Sequence, residues 1–290
     1  MFDEYFQKDV ESYKEKIKKK IEEMYEDDLG NEDVTTEAVI KPVKIRAIIK
    51  VKDNGILAGV FEVRLLLKKL GIEVKELIKE GNKIKKGDII MELEGDAKKI
   101  MKAERTVLNF LTRLSGIATI TNKMVKATKA KVAATRKTCF SFSDKRAVKI
   151  GGGYTHRLGL FDQYLIKGNH IDVVCRELKC SRIKAIEECL KRVKGVNKKI
   201  PVEIEIETAE EASAAAKYKP DIIMLDGIKI DDVKKIVKKL KNTGICFEAS
   251  GGINLDNIKK FGETDVDFVS SGCITHSCET LDMSLEIRSV

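Results

Sequence analysis

The chain has no tryptophan, three prolines and three histidines among its 290 residues. So few prolines, with no Gly/Ser-rich tract, exclude collagen-like and linker-like chains. No run approaches the ~20 consecutive apolar residues that a membrane-spanning helix needs. Met1-Phe2-Asp3-Glu4 lacks the basic-then-apolar pattern of a secretory leader. A soluble, cytoplasmic protein with no membrane partner is the expectation. The seven cysteines are an odd number without a C-x-x-C pair. Reduced thiols are therefore expected, and a four-ligand zinc or iron–sulfur site is not.

What is present is apolar and charged in near-balance, 43% against 35%, which suits a globular protein with a sizeable core. The charge, 55 − 46 = +9, points to an anionic partner such as nucleic acid, a membrane surface or a phosphorylated small molecule. The basic run Lys14 to Lys20 contains Glu15 and precedes Glu22 and Glu23, the pattern of a solvated helix. No nucleic-acid-binding motif occurs, and the informative basic residues lie among carboxylates, so nucleic acid is not an expected partner.

The first thirty residues carry Phe2, Tyr5, Phe6, Val10, Tyr13, Ile17 and Ile21 at helical spacing. Ile45 to Val51 is β-branched, Asp53-Asn54-Gly55 signals a turn, and Val63 to Leu70 reads as helix. From Ala103 a long helix runs to Gly116, or past it as a second helix to about Lys129. Beyond Ala130, strand patterns at 131–135, 164–167, 200–206, 221–225, 244–249 and 266–270 alternate with helical ones at 173–193, 209–218, 231–240 and 255–261. Strand-then-helix repetition implies parallel pairing with the helices outside, at a spacing that favours a (β/α) barrel. Leu281 to Val290 alternates as a strand with no helix after it, suited to return to the first sheet.

In such a barrel the chemistry lies at the C-terminal strand ends. There the chain places Thr135-Arg136-Lys137-Thr138, then Gly151-Gly152-Gly153-Tyr154-Thr155-His156-Arg157, then Lys167-Gly168-Asn169-His170. Two arginines, two lysines and two histidines at one mouth suit a strongly anionic ligand. Glu203, Glu205 and Glu207 alternate along one strand and so share a face. Facing inward they need cations or a metal; facing outward they are solvated partners of lysines. Asp226 ends the next strand, and carboxylates with a polyphosphate suit Mg²⁺. Ser250-Gly251-Gly252 and Ser270-Ser271-Gly272 expose backbone amides that suit a phosphate, or are plain βα loops. All three histidines, His156, His170 and His276, fall in these loops.

At these residues the sequence resembles the quinolinate phosphoribosyltransferases over nearly its whole length. The motifs are E-D-V-T-T at 32–36, D-N-G-I-L-A-G at 53–59, A-E-R-T-V-L-N-F-L-T-R-L-S-G-I-A-T at 103–119, T-R-K-T, G-G-G-Y-T-H-R-L-G-L, L-I-K-G-N-H-I, V-E-I-E, M-L-D, E-A-S-G-G-I and T-H-S. The resemblance implies an N-terminal α/β sandwich over 1–115, rejoined by 278–290, and an incomplete, seven-stranded α/β barrel over 116–277. It implies a homodimer, and transfer of phosphoribosyl from 5-phosphoribosyl-1-pyrophosphate to quinolinate with decarboxylation. Arg136, His156 and Arg157, with the partner subunit's Arg105, would grip the quinolinate carboxylates. Lys137 and Lys167 would contact the substrates, Glu205 and Asp226 the ribose and Mg²⁺, and Ser250, Gly251, Gly252, Gly272 and His276 the phosphates. The chain departs from the family pattern in the segment 139–144, at Gly168 and at Gly227. These departures leave a related transferase for another aromatic or heterocyclic acid as the alternative.

Overall fold

Lys44–Val51 and Ile89–Asp96, with the helix Val60–Leu70 between them in the chain, pair antiparallel at the centre of a four-stranded sheet. Glu73–Glu76 flanks Ile89–Asp96, and Met283–Arg288 returns to pair antiparallel with Lys44–Val51. The computed structural model describes residues 2–196 and 199–288. Met1, at the start of the expected first helix, and 289–290, at the end of the expected last strand, lie outside the described residues.

The chain forms two units, one of Met1–Lys8, Lys123–Lys137 and Gly153–Cys273, the other of Asp9–Asn122, Thr138–Gly152 and Ile274–Val290. The antiparallel sheet belongs to the second. The longest element is one helix, Ala97–Ala127, whose residues 97–122 fall in this unit and which buries Ile100, Ala103, Val107, Phe110, Leu111, Leu114 and Ala118 at spacings of three and four. It runs straight through Gly116. A Cβ there would lie 2.1 Å from the Glu279 carbonyl oxygen, so the glycine serves a close backbone approach and does not end the helix. Ser115 and Thr119 on this helix accept from the Ala58 and Ile56 amides at 3.0 and 2.8 Å, which joins the S-G-I-A-T and D-N-G-I-L-A-G motifs physically.

The first unit carries a parallel sheet in the order Lys131–Ala134, Phe268–Ser271, Cys246–Ser250, Ile222–Asp226, Val202–Ile206, Tyr164–Ile166. The seventh position of the expected barrel is represented by a single parallel bridge between Ala133 and Tyr154. Intervening helices are Gly168–Leu178, Arg182–Lys194, Ala209–Ala216, Ile230–Leu240 and Ile258–Phe261. The helix expected over 173–193 is thus two, parted where Lys179 takes φ 47° and Ser181 caps the second by accepting from the Lys184 amide.

The N-terminal helix is also interrupted. Residues Asp3–Phe6 form one short helix and Lys14–Leu29 another. Between them the backbone serves Thr155, whose hydroxyl accepts from Lys8 N–H at 2.9 Å. Phe6 is fully buried against Ala133, Ile222, Cys246 and Phe268, stacked on Phe268 at 3.8 Å. Ile222 and Cys246 are the first residues of their strands, so this plug closes the N-terminal end of the sheet and leaves chemistry to the other end.

Candidate active site

Above the Phe6 plug lies a fully polar layer. Glu203 comes from the strand Val202–Ile206, Glu248 from Cys246–Ser250, and His156 from the loop following Tyr154, all buried. His156 Nε2 is 3.2 Å from Glu248 and 3.6 Å from Glu203. Gln163 donates to Glu203, and Ser270 to Glu248. Burial lowers the basicity of the imidazole, but the Glu248 and Glu203 charges outweigh it and hold the pKa up at about 9. Burial, then Glu248, pushes Glu203 up to about 7 against the pull of His156. The Arg157 amide donates to Nδ1 at 2.7 Å, which favours a ring carrying its proton on Nε2 alone. The two tendencies agree if the cluster as a whole retains one extra proton, shared between the imidazole and Glu203. This trio is also the group of three whose ligand atoms lie close enough to hold a metal among the described residues. Gln163 and Ser270 serve one oxygen of each carboxylate, while Glu203 Oε1 and Glu248 Oε2 accept no hydrogen bond.

Strand alternation carries the next inward residue, Glu205, toward the C-terminal end. Its carboxylate accepts from Lys167 Nζ at 2.6 Å and from the Gly168 amide at 3.3 Å. Glu203 and Glu205 therefore face inward, whereas Glu207 is exposed and paired with Arg182 at 3.0 Å. Asp226 ends its strand half-buried. Burial first, then the Glu205 charge, holds its carboxyl above the ordinary range against the pull of Lys167 and Lys137. Two mutually repelling carboxylates made only of hard oxygen donors fit a divalent cation such as Mg²⁺.

Next to Asp226 the Ser250 carbonyl accepts from the Gly227 amide at 3.0 Å. Gly251 has φ +91°, and a Cβ on it would stand 2.7 Å from Gly227 N, so only glycine fits. Gly252 is exposed beside it, and Gly272 follows the strand Phe268–Ser271.

Arg157 is buried, 7% exposed, with Gln163 O at 3.5 Å as its hydrogen-bond partner. Burial, then the like charge of Arg136, lowers its basicity. Among the described residues no carboxylate hydrogen-bonds to Arg136 or Arg157. Two adjacent guanidinium groups so placed suit an anion with more than one carboxylate. Lys137 is exposed. His170 is exposed and folds back on its own helix, where Nδ1 accepts from the Lys167 amide at 2.8 Å as an N-terminal cap. Arg105 and His276 belong to the other unit and are exposed there, Arg105 on the helix Ala97–Ala127 and His276 with its Nδ1 2.5 Å from the Ser277 hydroxyl.

The residue types and their order at these strand ends are matched in known proteins. The family described as quinolinate phosphoribosyl transferase, C-terminal domain, covers residues 117–286, and the corresponding N-terminal domain covers 33–115.

The chain belongs to the quinolinate phosphoribosyltransferase family.

A probable nicotinate-nucleotide pyrophosphorylase (carboxylating) of Methanocaldococcus jannaschii is 38% identical over 96% of this chain and 98% of its own length. Its counterpart from Methanothermobacter thermautotrophicus is 37% identical over 93% and 98%. The solved nicotinate-nucleotide pyrophosphorylase of Francisella tularensis superposes with a TM-score of 0.82 at 33% identity, covering 95% of this chain and 97% of that one. No helix among the described residues of this phosphoribosyltransferase-family chain is long and apolar enough to cross a membrane. Its seven cysteines are all free thiols.

Two groups in this family member were not singled out from sequence. Glu248 lies within the E-A-S-G-G-I motif but pairs with His156 only through the fold, and Gln163 carried no signal beyond its place after the loop.

Proposed function

We propose that the chain catalyses Mg²⁺-dependent transfer of phosphoribosyl from 5-phosphoribosyl-1-pyrophosphate to quinolinate with decarboxylation, giving nicotinate mononucleotide, pyrophosphate and CO₂ for NAD biosynthesis. The observation that carries this reading is the Arg136–Arg157 pair, to which no carboxylate among the described residues hydrogen-bonds, beside a Lys167–Glu205–Asp226 cluster at one strand-end face. One end takes a dicarboxylate; the other takes a phosphorylated ribose.

In this mechanism Arg136 and Arg157, with the partner's Arg105, bind the two carboxylates and orient the pyridine nitrogen toward C1 of the ribose. Glu205, held by Lys167, stabilises the cationic ribose that develops as the C1–O bond breaks. Lys137 and Lys167 meet the negative oxygens of the donor. Ser250, Gly251, Gly252, Gly272 and His276 hold its phosphates. Glu205 and Asp226 would hold Mg²⁺, which when bound neutralises charge on the pyrophosphate leaving group. After transfer the ring nitrogen is positively charged, and that charge stabilises the carbanion left when the adjacent carboxylate departs as CO₂. His156 uses both ring nitrogens inside the protein, so its part is to fix the Arg157 backbone through Nδ1. A homodimer follows from the use of Arg105 in trans.

Purified chain with Mg²⁺, 5-phosphoribosyl-1-pyrophosphate and either quinolinate or nicotinate tests the reading. Pyrophosphate and CO₂ released together from quinolinate, with no turnover of nicotinate, is the expected result. Neither product from folded protein would discard it in favour of a transferase for another acid. Mixing an Arg105→Ala chain with a Lys167→Ala chain tests the dimer: activity regained only in the mixture supports sharing of Arg105, and no recovery opposes it.

A further inference from the structure

Arg113 has no role in the mechanism above, yet it is among the most completely engaged side chains of its unit. It projects from the helix Ala97–Ala127, and its side chain is 18% exposed. Nε and Nη2 form a fork on Asp144, donating to Oδ1 at 3.0 Å and to Oδ2 at 2.7 Å. Nη2 also donates to the Thr275 carbonyl at 2.8 Å. The guanidinium lies 5.0 Å from the Phe140 ring centre, and that ring packs on Phe110 one turn back along the same helix.

Asp144 gathers the rest. It is fully buried in the first turn of the helix Phe142–Ile150, and besides Arg113 it accepts from the Thr138 hydroxyl at 2.5 Å and the Phe140 amide at 3.3 Å. Between them Ser141 takes φ 48°, a left-handed conformation uncommon for a residue with a side chain. A turn of that kind persists where its surroundings hold it. Here the holding groups are the Asp144 carboxylate and the arginine that neutralises it.

We infer that Arg113 is a positioning residue for the transferase, tethering through one guanidinium the chain that leaves Lys137 and the chain that enters His276. Thr138 directly follows Arg136-Lys137, and Thr275 directly precedes His276. The planar fork suits this task because it satisfies Asp144 bidentately and still has an N–H for the carbonyl. Lysine, whose three donors share one nitrogen, cannot span both carboxylate oxygens in a fork and still reach the carbonyl. The segment 139–144 is thus a turn whose course depends on one ion pair. The inference rests on the quinolinate reading for the roles of Arg136, Lys137 and His276.

The test compares Arg113→Lys and Thr138→Val with the unmodified protein, measuring kcat, the KM for each substrate, Tm and amide exchange over 138–144 and 275–278. Thr138→Val removes one hydrogen bond at the tether and leaves the buried ion pair in place, so it remains folded even if the arginine variant does not. Positioning predicts a roughly tenfold or greater loss of kcat/KM for quinolinate in both variants. It also predicts faster exchange over 138–144 in both, and over 275–278 in Arg113→Lys alone, with the Thr138→Val Tm unchanged. A purely structural role predicts unchanged kcat and KM in Thr138→Val, and that result overturns the inference. If the unmodified protein itself does not turn over quinolinate, the functional reading fails, while slow exchange in 138–144 that neither variant accelerates would separately refute the tether.

Discussion

Raising the pH through 9 should loosen the parallel-sheet unit, because the His156–Glu203–Glu248 layer depends on a retained proton. The ring's pKa rises from 6.5 to about 9 on folding. The folded state therefore binds more protons than the unfolded chain between these values, and stability falls as pH rises. The contribution is fully present below about 6.5 and is lost as pH passes 9. For a proton shared between the imidazole and Glu203, a shift of that size sets an upper bound of roughly 3 kcal/mol. Deprotonation leaves two buried carboxylates facing one another with only neutral donors, which is the physical origin of the loss. For a unit of this size that is at most roughly 6–12 °C in Tm. Thermal unfolding followed by circular dichroism from pH 6 to 10 measures it, with His156→Asn alongside. The variant should be less stable at neutral pH and flatter between 7 and 9.5. A flat wild-type profile, or equal slopes in the two proteins, would refute the reasoning.

Three further outcomes follow from single contacts. Arg157→Met should leave Tm unchanged or raised, since it removes a buried like charge beside Arg136, while quinolinate KM rises by roughly a hundredfold; steady-state kinetics with calorimetry decides. Gly251→Ala should cost about 1–3 kcal/mol by denaturant unfolding and weaken donor binding, because its Cβ would press to 2.7 Å on Gly227 N at a positive φ. Helix propensity alone predicts that Gly116→Ala stabilises the long helix by about 1 kcal/mol. The 2.1 Å approach to the Glu279 carbonyl predicts net destabilisation in the same measurement.

The parallel strands were readable from sequence because each is a short apolar run ending in charged or glycine-bearing residues, and their boundaries agree with the structure to within a few residues. The return strand was equally readable, since Leu281, Met283, Leu285 and Ile287 alternate and Met283 pairs with Val51. The N-terminal helix misled because one helical periodicity spans apolar residues of two cores: Phe6 serves the parallel sheet, while Ile17 and Ile21 are buried in the other unit. Lys179 parts two helices in a conformation that glycine normally signals, so its sequence offered no warning. Within the candidate site, alternation placed Glu203, Glu205 and Glu207 on one face; Glu203 and Glu205 face inward, and Glu207, past the strand end, is exposed on Arg182. The pairing of Glu203 with Glu248 arises only from the spatial order of strands, and the burial of Asp144 only from an arginine thirty-one positions earlier. Long-range partners of this kind leave no local pattern.

The most direct test of the account is a single-turnover reaction with quinolinate labelled in the carboxyl group adjacent to the ring nitrogen, quantifying labelled CO₂, pyrophosphate and nicotinate mononucleotide together. Decarboxylating transfer yields the three products in equal amounts. Pyrophosphate release without labelled CO₂, or a nucleotide that retains the label, would contradict it.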